Sequence, residues 1–511
     1  MFRKVLIANR GEIACRIAAT LREMGILPVA VFSEADRCAL HARVMDEGYL
    51  IGPAEPRASY LNADALIGAA KRSGADAIHP GYGFLAENAD FAAAVDAAGL
   101  VFIGPTPDQV RALGDKRAAR ALAARAKVPV VPGVEGADAA ALTRAARELG
   151  YPVIVKAALG GGGKGMRMVE REQELSDAIE AAQRIAASAF GEASVYLEQR
   201  LERPRHVEVQ ILGDGRGGAL HLFERECSLQ RRHQKVIEES PSPGASDALR
   251  ERLEAAAVAI AQAVRYRGAG TAEFLVAGSE FYFLEMNTRL QVEHPVTELV
   301  TGVDLVRAQL EVAAGGDLPL AQQEVRRRGH AIEARVYAED AGRDFLPQAG
   351  RALDVRWPRG PFVRVDRGIE SGDEVPVQYD PILGKIIAFG PDRAAALARL
   401  ASALDETLIH GVTTNLPFLR ALARARPVVE GAFDVEWIER EFLAGFAAIA
   451  TAPAPEIALV AAALAEWRGA ESGDGRPGGA RAGRSAGTGA AAPRPADAFR
   501  DAGRWRLPGL E

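Results

Sequence analysis

Residues 283–298 concentrate the side chains that could hold a metal, bind an anion and move a proton. Glu285 and Asn287 lie two residues apart at the end of a predicted strand, so their oxygen atoms point to one face. Mg²⁺ prefers such oxygen ligands and keeps room for phosphate oxygens. The next six residues add a guanidinium, an amide and a second carboxylate, from Arg289, Gln291 and Glu293. This spacing predicts a metal site beside an anion-binding group and a candidate base.

A further carboxylate lies on the strand that precedes this segment. Glu273 sits in the apolar stretch Gly270–Val276, and Glu285 lies on the next predicted strand. The two carboxylates can face each other across a hairpin and share a divalent ion. The alternative is one edge glutamate that faces solvent. Two facing acids without a cation would repel each other, which favours the metal.

Glycine-rich residues 160–166 lie between two predicted strands, and this arrangement indicates a flexible hairpin with exposed backbone N–H groups. Such groups can bind phosphate oxygens without steric interference from Cβ atoms. The hairpin is not a P-loop, because no helix follows it and the GxxxxGK[ST] order is absent. Lys156, four residues upstream, suits an α- or β-phosphate. The alternatives are a merely mobile hairpin and a solvated lysine at a strand end.

A basic run and a strand arginine are further candidates for the site. The basic run Arg231–Lys235 lies between two predicted strands, with Glu238 just beyond it. Cations directed at a transferring phosphoryl group would stabilise its charge; the alternative is a solvated basic face. Arg335 alternates with Glu333 on one face of a later strand, where the alternative is an ordinary cross-strand ion pair.

Composition restricts the class of protein. A chain of 511 residues predicts three or four domains. Its 48% apolar and 25% charged residues are typical of a globular protein, and a net charge of −6 argues against general nucleic-acid binding. The three cysteines form no CxxC pair, which fits a reducing cytosol. We expect no membrane span and no signal peptide, because the apolar runs are too short.

Lysine is rare in this chain. Only eight of the 62 basic residues are lysines. Each lysine is therefore a candidate for a role that needs a compact ammonium group rather than a guanidinium. The alternative is chance retention, which applies above all to Lys4, Lys71 and Lys127.

The elements that must position these residues fall into four parts. Residues 1–114 alternate short strands with helices, which predicts a doubly wound parallel sheet. Residues 115–328 mix strands and helices, and residues 329–446 are richer in strands. Residues 447–511 include a stretch dominated by Gly, Ala, Arg, Ser and Pro at 470–495. That stretch predicts a disordered linker, followed by an unfinished tail.

Together these motifs resemble the biotin carboxylase component of the biotin-dependent carboxylases, within the ATP-grasp superfamily. The resemblance covers about residues 1–446 in unbroken order. The matching stretches are Ile7–Ala14, His79–Asn88, Gly114–Lys116, Gly160–Met166, Pro204–Gln210, Cys227–Lys235 and Glu285–Glu298. The resemblance implies a mixed α/β and α+β fold. It comprises a Rossmann-like domain at 1–114, an ATP-grasp domain at 115–328 with a mobile lid at about 130–204, and a mostly β domain at 329–446.

The resemblance also implies a reaction. ATP phosphorylates bicarbonate to carboxyphosphate, which carboxylates the ureido N1′ of biotin, and ADP and phosphate are released. The implied cofactors are ATP and Mg²⁺ or Mn²⁺ at two sites, while biotin is a carrier-bound substrate. His410–Asn415 and the Trp-Arg-Leu ending look like the α subunits of acyl-CoA carboxylases of the acetyl, propionyl, methylcrotonyl or geranyl type.

Residue roles follow from the resemblance by position. The ATP site takes Lys116, Lys156, Gly162, Gly163, Glu198, Gln199, Arg200, Leu201, His206, His233, Glu273 and Glu285. The metal ligands are Glu273, Glu285 and Asn287. Bicarbonate contacts Lys235, Arg289, Gln291 and the backbone of Val292, with Glu293 as its base. Arg335 stabilises the enolate-like biotin, near Tyr82 and Gln230. The hinge at Gln199 departs from the Glu-Lys of many relatives, which leaves the role of Gln199 open.

The implied partners are a biotin carboxyl carrier protein or domain in trans and a carboxyltransferase subunit. Such subunits carry biotin on a lysine in a following domain, whereas this chain has no lysine after Lys385. We expect a cytoplasmic homodimer or larger complex, with no nucleic acid and no membrane. The alternatives are another ATP-grasp ligase that joins a carboxylate to an amine, a urea or pyruvate carboxylase fragment, and a non-catalytic assembly subunit.

Overall fold

The computed structural model describes residues 1–136, 138–157, 167–190 and 195–450, with residues 460 and 464. Met1–Thr451 form one compact unit, and Ala452–Glu511 form a second. The predicted glycine-rich hairpin at 160–166, with Gly162 and Gly163, lies outside the described residues, and so does the predicted linker at 470–495. No helix of the described residues is long and apolar enough to cross a membrane.

The N-terminal part is the predicted doubly wound sheet, with five parallel strands in the order β3-β2-β1-β4-β5. Its strands are β1 Lys4–Ile7, β2 Leu27–Ser33, β3 Glu47–Gly52, β4 Ala77–His79 and β5 Val101–Phe102. Its helices are α1 Gly11–Glu23, α2 Leu40–Val44, α3 Ala63–Ser73, α4 Ala89–Ala97 and α5 Pro107–Gly114. Val5, Leu6 and Ile7 are fully buried, because helices cover both faces of a parallel sheet. The edge strand β3 is an addition to the prediction, and its glycines at 48 and 52 obscure the strand pattern.

A small antiparallel sheet in the order β6-β9-β7-β8 follows. The helices and strands of this part of the chain are α6 Lys116–Arg125, β6 Gly133–Gly136, α7 Ala139–Leu149, β7 Val153–Ala157, β8 Arg167–Val169, α8 Leu175–Phe190 and β9 Val195–Gln199. The strands predicted before and after the glycine-rich stretch are thus confirmed as β7 and β8. Leu142 and Ala146 of α7 pack with Leu175 and Ile179 of α8 against the sheet, which gives it a separate core.

A third and larger sheet carries most of the predicted site residues. Its eight antiparallel strands have the order β14-β13-β10-β11-β12-β15-β22-β20. The first elements are β10 Arg205–Asp214, β11 Ala219–Arg231, β12 Gln234–Ser240, α9 Asp247–Ala263, β13 Arg267–Ala277, β14 Glu280–Asn287, α10 His294–Thr301 and α11 Leu305–Ala313. The later strands are β15 His330–Tyr337, β16 Glu339–Asp340, β17 Leu346–Pro347, β18 Gly350–Arg351, β19 Asp354–Arg356, β20 Val363–Arg367, β21 Glu374–Val375, β22 Ile382–Gly390 and β23 Leu408–His410. The later helices are α12 Arg393–Glu406, α13 Leu416–Arg424, α14 Arg426–Glu430 and α15 Leu443–Ala450.

The large sheet continues across the boundary proposed between residues 328 and 329. Strand β15 pairs with β12 on one side and with β22 on the other, so the C-terminal strands extend the sheet of the central part. Helix α10 lies against β11, β12, β15 and β22. It begins at His294, with Pro295 in its first turn. Glu293 immediately precedes this helix and is thereby held over the middle of the sheet.

Candidate active site

Three acidic residues lie side by side on the large sheet. Glu208 on β10 is paired in register with Glu273 on β13, and Glu273 is paired with Glu285 on β14. Directly opposed residues of antiparallel strands share a face of the sheet. The predicted placement of Glu273 opposite Glu285 across a hairpin is therefore confirmed. Asn287 lies two residues further along β14, opposite Thr271.

Lys235 on β12 lies at the centre of this acidic group. Its Nζ donates to Glu208 Oε2 at 2.6 Å, to Glu273 Oε1 at 2.9 Å and to Glu293 Oε1 at 2.6 Å. Burial alone would lower the pKa of the ammonium, but the three carboxylates outweigh burial and hold the pKa well above its ordinary value. Lys235 is therefore a charged ammonium that joins the strand carboxylates to the segment before α10.

Glu293 is bound by two cations through its two different oxygens. Oε1 accepts from Lys235, and Oε2 accepts from an Arg335 terminal nitrogen at 2.9 Å. Burial raises the pKa of Glu293, but Lys235 and Arg335 outweigh burial, and the pKa lies well below the usual range. The buried carboxylate is therefore ionised, which is the form that a base requires.

Arg335 has the cross-strand ion pair that sequence reasoning kept as an alternative. Its Nε donates to Glu238 Oε1 on β12 at 2.5 Å, and a terminal nitrogen reaches Glu293 as well. Glu238 lies opposite Glu333 in the β12–β15 register. The side chain of Arg335 is 9% exposed. Arg335 thus has a structural partner on the neighbouring strand and a second partner at the candidate base.

Gln291 is oriented by a buried arginine. Arg225 Nε donates to Glu208 Oε1 at 2.6 Å, and an Arg225 terminal nitrogen donates to Gln291 Oε1 at 2.6 Å. The Gln291 amide then donates to Glu273 Oε1 at 2.8 Å. Sequence reasoning missed Arg225, although the charged triplet 224–226 inside the long and mostly buried strand β11 is a signal for paired charges. This network fixes both ends of the Gln291 amide.

Arg289 connects the end of β14 to the N-terminal part. Its Nε donates to Glu87 Oε2 at 2.9 Å, and a terminal nitrogen donates to Asn287 Oδ1 at 3.0 Å. Glu285 pairs with Lys116 at 3.1 Å. The structure therefore brings the predicted nucleotide residue Lys116 to the predicted metal ligand Glu285, while Arg289 lies beside Asn287.

The oxygen atoms of Glu273, Glu285 and Asn287 fit a hard divalent cation such as Mg²⁺, since two carboxylates and an amide lie on adjacent strands. The Asn287 amide oxygen, which is the atom that could bind a cation, accepts from Arg289 at 3.0 Å, while the amide nitrogen has no hydrogen-bond partner among the described residues. His206 Nε2 lies 3.2 Å from Glu273 Oε2 and 3.8 Å from Glu208 Oε2. The predicted ATP residue His206 is thus buried beside the same acids.

The other predicted nucleotide residues lie on the small sheet and on one turn. Lys156 Nζ donates to Glu198 Oε1 at 2.7 Å between adjacent strands β7 and β9. Residues 199–201 line a cleft with Tyr151. His233 lies at the exposed turn between β11 and β12.

The predicted biotin residues come from three segments of the chain, which are strand β11, the loop after β4 and strand β15. Gln230 lies opposite Lys235 in the β11–β12 register and is 8% exposed. The Tyr82 hydroxyl donates to Glu12 Oε1 on α1. Arg335 lies on the neighbouring strand β15 and shares Glu293 with Lys235.

Sequence reasoning assigned no role to two further buried residues. Lys385 Nζ donates to the Val292 carbonyl oxygen at 2.7 Å and lies 3.3 Å from Glu12 Oε2. Val292 is the residue whose backbone was predicted to hold bicarbonate. The scarcity of lysine singled out Lys385 as a candidate, but no motif around it indicated a role. Glu12 lies within the matching stretch at residues 7–14 and likewise carried no predicted role.

Three protein-family descriptions match successive parts of the chain. "Biotin carboxylase, N-terminal domain" matches residues 1–110, and "Biotin carboxylase C-terminal domain" matches residues 333–440. Between them, "Carbamoyl-phosphate synthase L chain, ATP binding domain" matches residues 115–321. Most of the acidic and basic residues described above lie in residues 115–321, which match the ATP binding domain. Arg335 lies in residues 333–440, which match the C-terminal domain.

Similar proteins support the same assignment. The biotin carboxylase of Pseudomonas aeruginosa is 50% identical over 444 residues, which cover 86% of this chain and 99% of that protein. The mitochondrial methylcrotonoyl-CoA carboxylase subunit alpha of Dictyostelium discoideum is 49% identical over 85% of this chain and 63% of its own length. The biotin carboxylase domain dimer of Hydrogenobacter thermophilus 2-oxoglutarate carboxylase, crystallised with MgADP, ADP and bicarbonate, has a TM-score of 0.80 and 42% identity. That match covers 86% of this chain and 97% of the other.

The fold and the buried site define an ATP-dependent ligase. The chain belongs to the biotin carboxylase family. It spans 63% of the length of the Dictyostelium subunit.

Proposed function

We propose that this chain catalyses the ATP-dependent carboxylation of carrier-bound biotin with bicarbonate, as the first half-reaction of an acyl-CoA carboxylase. The observation that carries the proposal is the position of Lys235. Its ammonium contacts Glu273, at the metal and nucleotide end of the site, and Glu293, the candidate base. Phosphoryl transfer requires the donor phosphate and its acceptor to be close and nearly in line. One cation that spans both ends supports such an arrangement.

Glu293 is proposed to deprotonate bicarbonate, because two cations keep its carboxylate ionised. Lys235, Arg289, Gln291 and the Val292 backbone are proposed to hold the anion. Transfer of the γ-phosphoryl group to bicarbonate then gives carboxyphosphate and ADP. Cations that face the developing negative charge lower the barrier to such a transfer.

Glu273, Glu285 and Asn287 are proposed to hold Mg²⁺ or Mn²⁺, which neutralises phosphate charge when ATP is bound. Lys116 is proposed to bind the nucleotide phosphates, and its contact with Glu285 supports a position beside the metal ligands. Lys156 is proposed to bind the nucleotide phosphates as well, and Gly162 and Gly163 are proposed to belong to a lid over them. Residues 198–201, His206 and His233 are proposed to line the adenosine site.

Arg335 is proposed to stabilise the enolate-like form of biotin after phosphate removes its N1′ proton. The contacts of its guanidinium with Glu238 and Glu293 hold it beside the candidate base, which supports a place for Arg335 next to the reacting groups. Tyr82 and Gln230 are proposed to contact the biotin ring. The register of Gln230 with Lys235 supports a biotin position next to the bicarbonate residues.

Partners and location follow from the same proposal. We propose a biotin carrier protein or domain in trans, a carboxyltransferase subunit and a homodimeric or larger assembly in the cytoplasm. The domain dimer of the Hydrogenobacter protein supports the homodimer, and the methylcrotonoyl-CoA carboxylase subunit supports an acyl-CoA acceptor. A pull-down for a biotinylated partner and a carboxyltransferase tests this part.

The decisive assay is ATP cleavage by the purified chain. The expected result is ADP formation that requires bicarbonate and increases when free biotin is added. Assays without bicarbonate, and assays with ammonia or amines in place of biotin, are the controls. Turnover that depends on an amine and not on bicarbonate would instead indicate an ATP-grasp ligase that joins a carboxylate to an amine.

A further inference from the structure

Lys385 on β22 is a fully buried lysine whose ammonium has three oxygen neighbours. It donates to the Val292 carbonyl oxygen at 2.7 Å, and it lies 3.3 Å from Glu12 Oε2 and 3.5 Å from Asp366 Oδ2. Its side chain is 0% exposed. A lysine is almost never buried so completely unless it is paired, and here one of its partners is a backbone carbonyl beside the candidate base.

The register of the large sheet places Lys385 directly beside Arg335. These residues are opposed in the β15–β22 pairing, so both side chains lie on the same face. Arg335 contacts the carboxylate of Glu293, while Lys385 contacts the carbonyl of Val292. Neighbouring cations of one sheet therefore bind consecutive residues of the segment before α10.

Lys385 also connects the segment before α10 to Glu12 on α1 and, through Glu12, to Tyr82. Glu12 accepts a hydrogen bond from the Tyr82 hydroxyl through Oε1 and faces Lys385 through Oε2. A continuous path of polar contacts thus runs from Tyr82 through Glu12 and Lys385 to Val292.

The charge on Lys385 is maintained by its surroundings. Burial alone lowers the pKa of the ammonium, but Glu12, Glu333 and Asp366 outweigh burial, and the pKa lies above its ordinary value. A charged donor makes a stronger hydrogen bond to a carbonyl than a neutral donor does. The bond fixes the plane of the peptide unit between Val292 and Glu293.

We propose that Lys385 is a positioning residue for bicarbonate: by holding the Val292 carbonyl it orients the Val292 backbone and the base Glu293 together. This inference rests on the proposed function, because it assigns Lys385 to the bicarbonate end of that site. Lys385 touches neither ATP nor bicarbonate in this scheme. Its effect is transmitted through the one peptide unit that it binds.

The test compares Lys385→Met and Lys385→Arg with the wild-type chain in the bicarbonate-dependent ATP cleavage assay. Lys385→Met removes the donor, so KM for bicarbonate should rise about tenfold to about a hundredfold, the change that corresponds to one lost hydrogen bond from a charged group. KM for ATP should stay unchanged. Lys385→Arg keeps a charged donor and should recover much of the bicarbonate affinity.

Asp366→Asn is the matched control, because it removes a carboxylate partner of Lys385 but leaves the bond to Val292. This control should keep the wild-type KM for bicarbonate. A purely structural role predicts the opposite pattern, in which Lys385→Met and Asp366→Asn lower the melting temperature and weaken all substrates alike; that result would overturn the inference. An unchanged KM for bicarbonate in folded Lys385→Met would also overturn it.

If Lys385→Met does not fold, Lys385→Gln replaces it in the test. Glutamine is polar and neutral, and it is shorter than lysine. A selective rise in KM for bicarbonate supports the inference, and its absence refutes it. Failure of the proposed function itself is recognised separately, because the wild-type chain would then show no bicarbonate-dependent ATP cleavage.

Discussion

Lys235 donates a 2.6 Å hydrogen bond to the carboxylate of Glu293, so the candidate anion-binding cation and the candidate base are direct partners. Both side chains are almost completely buried. In such surroundings an unpaired charge is costly, and each group keeps the other ionised. The pair therefore acts as one unit, and a change in either residue alters the charge environment of the other.

Replacing Glu293 with Gln should abolish the proposed base while keeping the shape of the side chain. We expect bicarbonate-dependent ATP cleavage to fall by about 10² to 10⁴, the usual contribution of a general base. ATP binding, measured by calorimetry, should persist because the nucleotide residues are intact. Glu406→Gln, at an exposed position on α12, is the control and should retain full activity. Full activity of Glu293→Gln would refute the role of base.

Replacing Arg335 with Lys should impair the proposed stabilisation of the enolate-like form of biotin. Arg335 binds Glu238 and Glu293 with two different nitrogens, and a single ammonium cannot reproduce that planar geometry. We expect the stimulation of ATP cleavage by free biotin to fall about tenfold or more, with ATP binding retained. Equal stimulation by biotin in the variant and the wild type would contradict the proposed role.

Replacing Arg225 with Met should destabilise the fold, because it leaves Glu208 without one of its cations. Both side chains are 0% exposed. Removing one partner of a buried ion pair costs about 3–5 kcal/mol in free energy of unfolding. The double variant Arg225→Met/Glu208→Gln should recover part of this loss. Urea denaturation measures both, and a loss below about 1 kcal/mol in the single variant would contradict the buried pair.

The stability of the chain should fall as the pH decreases below about 6.5, partly because of His79. Burial lowers the pKa of this fully buried histidine to about 3. Between pH 6.5 and 3 the unfolded chain binds a proton that the folded chain excludes, so stability is lost as the pH falls through this range. From pH 7 to pH 5 the loss due to His79 is about 2 kcal/mol.

The His79→Asn variant isolates this contribution, since asparagine can still accept the hydrogen bond that the Gly81 backbone donates to His79 Nδ1. Its free energy of unfolding should change less than that of the wild type between pH 7 and pH 5. Identical pH dependence in the two proteins would show that His79 does not resist protonation in the fold.

Replacing Glu285 with Gln should raise the Mg²⁺ concentration required for half-maximal activity. A neutral amide is a weaker ligand for Mg²⁺ than a carboxylate. Glu280→Gln is the matched control, because Glu280 lies on the same strand β14 but is exposed. If both variants require the same Mg²⁺ concentration as the wild type, Glu285 is not a metal ligand.

Local patterns in the sequence determined much of the fold and one central part of the site. The doubly wound sheet, β7, β8, β13 and β14 follow from alternation and apolar runs, which depend only on neighbouring residues. The spacing of Glu285 and Asn287, and the hairpin that places Glu273 opposite Glu285, are local in the same sense. The resemblance added roles that spacing alone could not distinguish.

Only the tertiary structure decided which charges meet across long separations in the chain. Lys235 reaches Glu293, 58 residues away, and Lys385 reaches Val292, 93 residues away. These contacts depend on β15 joining β12 and on α10 crossing the sheet, and neither feature leaves a periodic signal in the sequence. The partners of a buried charge are set by strand order and register, which arise from long-range packing. The sequence by itself therefore identified the reactive residue types, while the tertiary structure determined their partners and their charge states.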